Sequence, residues 1–163
     1  MPRDFSVLLD QIIEAFDSEF APLNTRLVGG YDEPFYLAGP PSEIRFREDF
    51  VRSALHEVAH WCVAGAERRK QDDFGYWYCP DGRDQAQQQA FEQVEIRPQA
   101  IEAEFCQALG IPFSPSQDNL NGDVSPNPAF EHAINALRHA WHAEQAKPPA
   151  QALQFISRLR QIQ

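Results

Sequence analysis

Two histidines and a glutamate stand in the order H-E-x-x-H, as His56, Glu57 and His60. Residues four apart on an α-helix lie one turn apart on the same face, so both imidazoles can bind one metal ion. Glu57 follows His56 by about 100° around the helix axis, which places its carboxylate beside an open coordination position. The pattern therefore predicts a metal centre in which Glu57 is the catalytic residue that transfers protons.

A third ligand is expected from residues 85–110, whose apolar spacing predicts a second long helix. Glu95 falls on the apolar side of that helix, where an unpaired carboxylate would be costly to bury. Glu95 is therefore the leading candidate for the third ligand, and Glu92 and Glu102 are the next. A solvent-exposed position is the more ordinary expectation for Glu102 and Glu104 than for Glu95.

Two histidines and one glutamate are compatible with two kinds of metal chemistry. In zinc peptidases of the zincin type, Zn²⁺ activates water and the motif glutamate is the general base. The same donors also bind Fe(II) in non-haem enzymes that activate O₂. The residues alone favour a hydrolase, because H-E-x-x-H on a helix is the commoner zinc signature. The remaining histidines lack a four-residue pairing, and we do not expect them to bind the metal: His132, His139 and His142.

Length, charge and cysteine content exclude several classes of protein. A chain of 163 residues is long enough for one domain with its own core, and we expect a single domain over residues 1–163. A net charge of −10 and a pI of about 4.8 argue against direct binding of nucleic acid. Three cysteines without a C-x-x-C pair predict reduced thiols. The first residues lack a signal-peptide core, and no apolar run is long enough to cross a bilayer, so we expect a cytoplasmic protein.

The elements that must position these residues are predicted from periodicity and turn signals. Residues 4–20 have helical apolar spacing, and short strands are predicted at 25–28, 35–37 and 44–46, with turns at Gly29-Gly30 and Pro40-Pro41. Two more helices are expected to begin at Asn127-Pro128 and at Pro148-Pro149. The predicted class is α+β, with a small antiparallel or mixed sheet packed with several helices and a zincin-like pair of helices at the metal site.

The two helices at the predicted metal site carry their own signals. The first has an apolar stripe opposite its histidines and is expected to end at Gly65. The stripe consists of Val51, Leu55, Val58 and Cys62. The second contains Pro98, which should kink the helix or divide it in two. Its buried side is predicted to include Phe91, Val94, Pro98, Ile101, Phe105 and Leu109.

Several longer blocks resemble one known family. They are NTRLVGGYDEPFYLAG, ALHEVAHWCVAG, DFGYWYCPDGRD, FEQVEIRPQA and DNLNGD, which follow one another between residues 24 and 123. Together they resemble the bacterial elongation factor P hydroxylase family, and the blocks are far more specific than H-E-x-x-H alone.

This resemblance implies a function, a cofactor and a set of ligands. The expected reaction is hydroxylation of a lysine side chain of translation elongation factor P, after that lysine has received a β-lysyl group. The resemblance also implies a metal bound by His56, His60 and Glu95, the last from the F-E-x-V-E block. Iron is the expected metal, zinc the alternative and O₂ the co-substrate, in a fold closer to metalloproteases than to jelly-roll oxygenases.

Substrate contacts are predicted in the aromatic loop of residues 72–84. An ammonium group that leaves water needs carboxylates or aromatic faces, and Tyr76, Tyr78 and Asp81 can supply both to the cationic arm. Two alternatives remain at this point. One is a zinc-dependent peptidase, and the other is a metal-stabilised interaction module on the translation machinery, which would unfold without its metal.

Overall fold

The computed structural model describes residues 4–72, 85–115 and 128–162. These ranges contain five helices and a three-stranded mixed sheet, so the predicted α+β class is confirmed. In chain order the elements are α1 (Phe5–Glu19), a short 3₁₀ helix (Ala21–Leu23), β1 (Thr25–Tyr31), β2 (Phe35–Leu37), β3 (Ser42–Arg47), α2 (Val51–Arg68), α3 (Gln85–Leu109), α4 (Pro128–His142) and α5 (Ala150–Leu159).

The sheet has the order β1-β3-β2, with β1 parallel and β2 antiparallel to the central strand β3. The prediction of a turn at Gly29-Gly30 is wrong, since both glycines lie inside β1 at an irregularity in its pairing with β3. A Cβ at Gly29 would lie 2.6 Å from the ring of Phe46 and 2.8 Å from the carbonyl oxygen of Glu48. Glycine is therefore required there for close approach of two strands rather than for a turn.

Helix α2 is held in one rotational setting by its buried face. The predicted apolar stripe is buried, and Trp61 is completely buried beside it. The Trp61 ring lies 4.9 Å from that of Phe20 and 5.3 Å from that of Phe16, and Phe155 joins the same cluster from α5. Helical backbone is interrupted at Gly65, where φ is 79°, as expected for the predicted helix stop. The aromatic core thereby fixes the direction of the residue that precedes Trp61, which is His60.

Helix α3 runs continuously through Pro98, so the proline does not divide it. Phe91, Ile101, Phe105 and Leu109 are buried as predicted. Val94 is not, because 45% of its surface is exposed. Its position next to Glu95 explains this difference, since the adjacent residue points about 100° away from the face that α3 buries.

The remaining helices begin close to the predicted positions. Asp4 caps α1 by accepting a hydrogen bond from the backbone N–H of Ser6, and α4 and α5 begin at Pro128 and Ala150.

Cys62 and Cys106 are buried free thiols, whereas Cys79 lies outside the described residues. In the parts of the chain that the structure describes, no helix has both the length and the apolar character needed to cross a membrane.

Candidate metal centre

The side chains of His56, His60 and Glu95 converge at the contact between α2 and α3. Nε2 of His60 lies 3.0 Å from Nε2 of His56 and 2.9 Å from Oε2 of Glu95, and Nε2 of His56 lies 3.5 Å from Oε1 of Glu95. His60 and Glu95 are 3% and 1% exposed. The structure thus brings together the three residues predicted as ligands, each with one potential donor atom facing the others.

These separations fit one shared ion. Donors about 2.1 Å from a metal, with angles of about 90° to 110° between them, lie about 3.0 to 3.4 Å apart. The observed values of 2.9, 3.0 and 3.5 Å cover that interval. Oε2 of Glu95 is buried and lies 2.9 Å from Nε2 of His60 in an ion-pair contact, with no hydrogen-bond partner assigned to it among the described residues. A buried acceptor in that state, facing two imidazole nitrogens, suits a cation.

A second carboxylate orients His56. Nδ1 of His56 lies 2.8 Å from Oε1 of Glu102, and Nε of Arg52 donates to Oε2 of Glu102 at 2.6 Å. Because an ionised carboxylate only accepts hydrogen bonds, the proton belongs on Nδ1 of His56. The lone pair of Nε2 then faces His60 and Glu95, which is the tautomer that a metal ligand requires.

The pKa values of the metal-free site show how strongly its charges interact. Burial alone would lower the pKa of His56, but the charge of Glu95, the hydrogen bond to Glu102 and the other carboxylates outweigh it and raise that pKa to about 10. Burial would raise the pKa of Glu95, yet the charges of His60 and His56 lower it to about 2. The raised pKa of His56 means that a metal ion binding at Nε2 competes with a proton for that nitrogen.

Glu57 lies beside this cluster rather than within it. Its Oε2 atom is buried and has no hydrogen-bond partner among the described residues. Burial raises the pKa of Glu57, against the opposing charges of His56 and His60. A carboxyl group with a raised pKa and a vacant oxygen is suited to holding and releasing a proton.

An open cleft of about 810 Å³ leads to the cluster. Residues from the start of α1, from the β3–α2 connection, from α2 and from the segment after α3 form its walls, and His56, Glu57 and Glu102 contribute their side chains to its lining. The cluster can therefore be reached from solvent on the side of His56. The predicted substrate residues Tyr76, Tyr78 and Asp81 lie outside the described residues.

Two acids on α3 are buried although solvent exposure was the more ordinary expectation for them. Glu102, which was also a candidate ligand behind Glu95, is 2% exposed, and Glu104 is 9% exposed. Each binds an arginine from another helix. Glu102 accepts from Arg52, and Glu104 accepts from Arg138 at 2.6 Å. The burial of Glu102 could have been predicted from the sequence, because Glu102 follows Glu95 by seven residues and so lies on the same face of the helix.

The fold and the site define an α+β protein with a candidate metal centre of two histidines and one glutamate on two packed helices. Residues 15–162 match the family described as elongation factor P hydroxylase, and the chain belongs to this family. It is 49% identical over 131 residues to the elongation factor P lysine hydroxylase of Haemophilus influenzae, a match that covers 77% of this chain and 74% of that protein. The family suggested by the sequence blocks is thereby confirmed.

Proposed function

We propose that this chain is a metal-dependent hydroxylase that adds one oxygen atom to a modified lysine side chain of elongation factor P. The observation that carries the proposal is the convergence of His56, His60 and Glu95 at the end of a cleft that is open to solvent. Family membership supplies the reaction class, and the relative is named for a lysine of the same factor.

The proposed metal is Fe(II), with Zn²⁺ as the alternative. When bound, Fe(II) would supply O₂ activation, so that one oxygen atom enters a C–H bond and the other leaves as water, with two electrons from a reductant and two protons from solvent. This chain provides three donor atoms, which leaves positions on the ion free for other ligands. His60 and Glu95 are buried, whereas 27% of the His56 side chain is exposed, so the free side faces the cleft.

The chain's own residues have separable roles in this proposal. Glu102 holds the proton of His56 at Nδ1 and keeps Nε2 aimed at the ion. Gln99 donates to Oε1 of Glu95 at 3.3 Å and orients that carboxylate. Glu57 holds or releases a proton at its vacant Oε2, beside the reacting side chain. The packed helices exclude water from the side opposite the cleft.

The shape of the cleft supports a substrate arm longer than lysine. Its volume of about 810 Å³ is in the range of sites that hold molecules of about drug size, and a single lysine side chain would fill little of it. Glu57 lines the cleft and can accept a hydrogen bond from an ammonium group, while the apolar walls of the cleft accommodate methylene chains. We therefore propose the β-lysylated lysine as the substrate, with Tyr76, Tyr78 and Asp81 as further proposed contacts.

Intact-mass analysis tests this proposal. Elongation factor P with and without the β-lysyl group is incubated with the protein, Fe(II), a reductant and air. We expect a gain of one oxygen on the β-lysylated form, and none without air or with Zn²⁺ in place of iron. No mass gain under any metal condition would refute the hydroxylase function, and cleavage of the factor with Zn²⁺ would indicate a peptidase instead.

A further inference from the structure

The wall of the cleft includes exposed apolar residues from four separate segments. They are Phe5 at the start of α1, Pro34 before β2, Phe50 before α2 and Pro112 after α3, and we call them the apolar rim. Phe5 is 53% exposed and Phe50 is 47% exposed. Isolated apolar residues on a surface are common, but apolar residues gathered around a functional cleft indicate an interaction surface.

Phe50 occupies a position that local stability does not favour. It is the N-cap residue of α2, and no side-chain hydrogen bond caps this helix. Serine, threonine, aspartate and asparagine stabilise a helix at this position, whereas phenylalanine offers no acceptor. Phe50 cannot cap α2, and its aromatic ring is exposed at the cleft. Contact with another molecule explains this position better than a role in folding does.

We propose that the apolar rim is the docking surface for the folded protein that presents the modified lysine, a step that rests on the proposed function. A side chain that enters the cleft from a folded protein brings the protein surface around that lysine against the rim. The rim therefore fits a partner whose lysine projects from an apolar patch. Aromatic residues are the usual anchors of such contacts.

Charge and geometry disfavour binding of a membrane surface or of a second copy of this chain at the apolar rim. The charged residues that line the cleft are of both signs, so the cleft has no excess of positive charge. They are Arg47, Arg52, Asp49, Glu57 and Glu102. The chain as a whole has a net charge of −10, which also disfavours an anionic membrane surface. A second copy of this chain seated on the rim would cover the cleft that leads to His56 and Glu57. A protein that inserts one side chain uses the rim and the cleft together.

The test compares Phe50→Ser and Phe5→Ser with Leu153→Ser. Leu153 is the matched control because it is 45% exposed on α5 and does not line the cleft. Calorimetric titration measures binding of β-lysylated elongation factor P and of a short peptide that carries the same modified lysine. We expect each rim variant to bind the intact factor about tenfold more weakly, as for an interface anchor, and to lose less affinity for the peptide. The control should bind both as the wild type does.

Loss of fold is separated from loss of docking by thermal unfolding and metal content. Phe50→Ser introduces a favourable N-cap, so its thermal midpoint should equal or exceed that of the wild type. Wild-type affinity of both rim variants for the intact factor would overturn the docking surface, as would an equal loss of affinity for the peptide. A wild-type dimer that Phe50→Ser makes monomeric would instead identify a self-association face. Binding of the factor without hydroxylation would refute the proposed function. The affinities of the rim variants, compared with those of the wild type and Leu153→Ser, would still show whether the apolar rim is the docking surface.

Discussion

Replacing Glu102 by glutamine is expected to weaken metal binding although Glu102 is not one of the three proposed ligands. The substitution keeps the shape of the side chain but removes its charge. Oε1 of Glu102 lies 2.8 Å from Nδ1 of His56, and Oε2 accepts from Arg52 at 2.6 Å. An amide in this place no longer fixes the tautomer of His56, because its NH₂ group can donate to a deprotonated Nδ1.

The size of the effect follows from the two contacts that are lost. Carboxylates that orient a metal-binding histidine contribute about 10- to 100-fold to metal affinity. The charge pair with Arg52 adds a cost in folding free energy of about 1 to 3 kcal/mol. The lower part of that range applies, since 36% of the Arg52 side chain is exposed and solvent screens its charge.

Helix α3 provides a matched control in Glu104→Gln. Glu104 accepts from Arg138 at 2.6 Å and lies 2.7 Å from Nε2 of His142, so it too joins an arginine and a histidine. It lies on the side of α4, where none of the three candidate ligands is found. Glu104→Gln should therefore lower the free energy of unfolding by a similar amount and leave metal affinity unchanged.

Competition with a chromogenic chelator under anaerobic conditions measures the dissociation constant for Fe(II) in each variant. We expect the constant to rise about 10- to 100-fold in Glu102→Gln and to stay at the wild-type value in Glu104→Gln. If Glu102→Gln binds Fe(II) like the wild type, the argument that this carboxylate orients His56 is refuted. Equal weakening in both variants would show that the effect comes from general destabilisation.

Four further predictions use other parts of the site and the fold. Glu57→Gln should retain the metal and lose about 10²- to 10⁴-fold in turnover, measured by intact mass, and wild-type turnover would remove its proposed proton role. In metal-free protein the raised pKa of His56 contributes stability that is complete below its ordinary pKa of 6.5 and is lost as pH rises to about 10, so the thermal midpoint should fall over that interval. Metal affinity should rise over the same interval as the competing proton leaves, and a chelator titration that finds no pH dependence would contradict this. Gly29→Ala should lower the thermal midpoint by about 3 to 10 °C because the added methyl meets Phe46, and an unchanged midpoint in calorimetry would contradict the packing argument.

Helical periodicity was sufficient to find the candidate ligands. His56 and His60 share a face because they are four residues apart, and Glu95 was singled out because its carboxylate fell on the apolar side of α3. Both placements depend only on positions within one helix. They needed no knowledge of how α2 and α3 pack, and the structure places all three donor groups together.

What the sequence could not predict depends on contacts between distant segments. Glu102 is buried because Arg52, fifty residues earlier in the chain, reaches it from α2. Gly29 and Gly30 are read locally as a turn, but β1 continues through them because Phe46 on β3 packs against Gly29. The order of the strands and the lining of the cleft likewise depend on tertiary packing, which no single segment specifies.

The central claim is that His56, His60 and Glu95 bind a single redox-active ion. Metal analysis by mass spectrometry of anaerobically purified protein, for the wild type beside Glu95→Ala and Glu92→Ala, tests this claim directly. We expect one iron per chain in the wild type and in Glu92→Ala, and none in Glu95→Ala. Full iron occupancy in Glu95→Ala, or loss of iron in Glu92→Ala alone, would contradict the assignment.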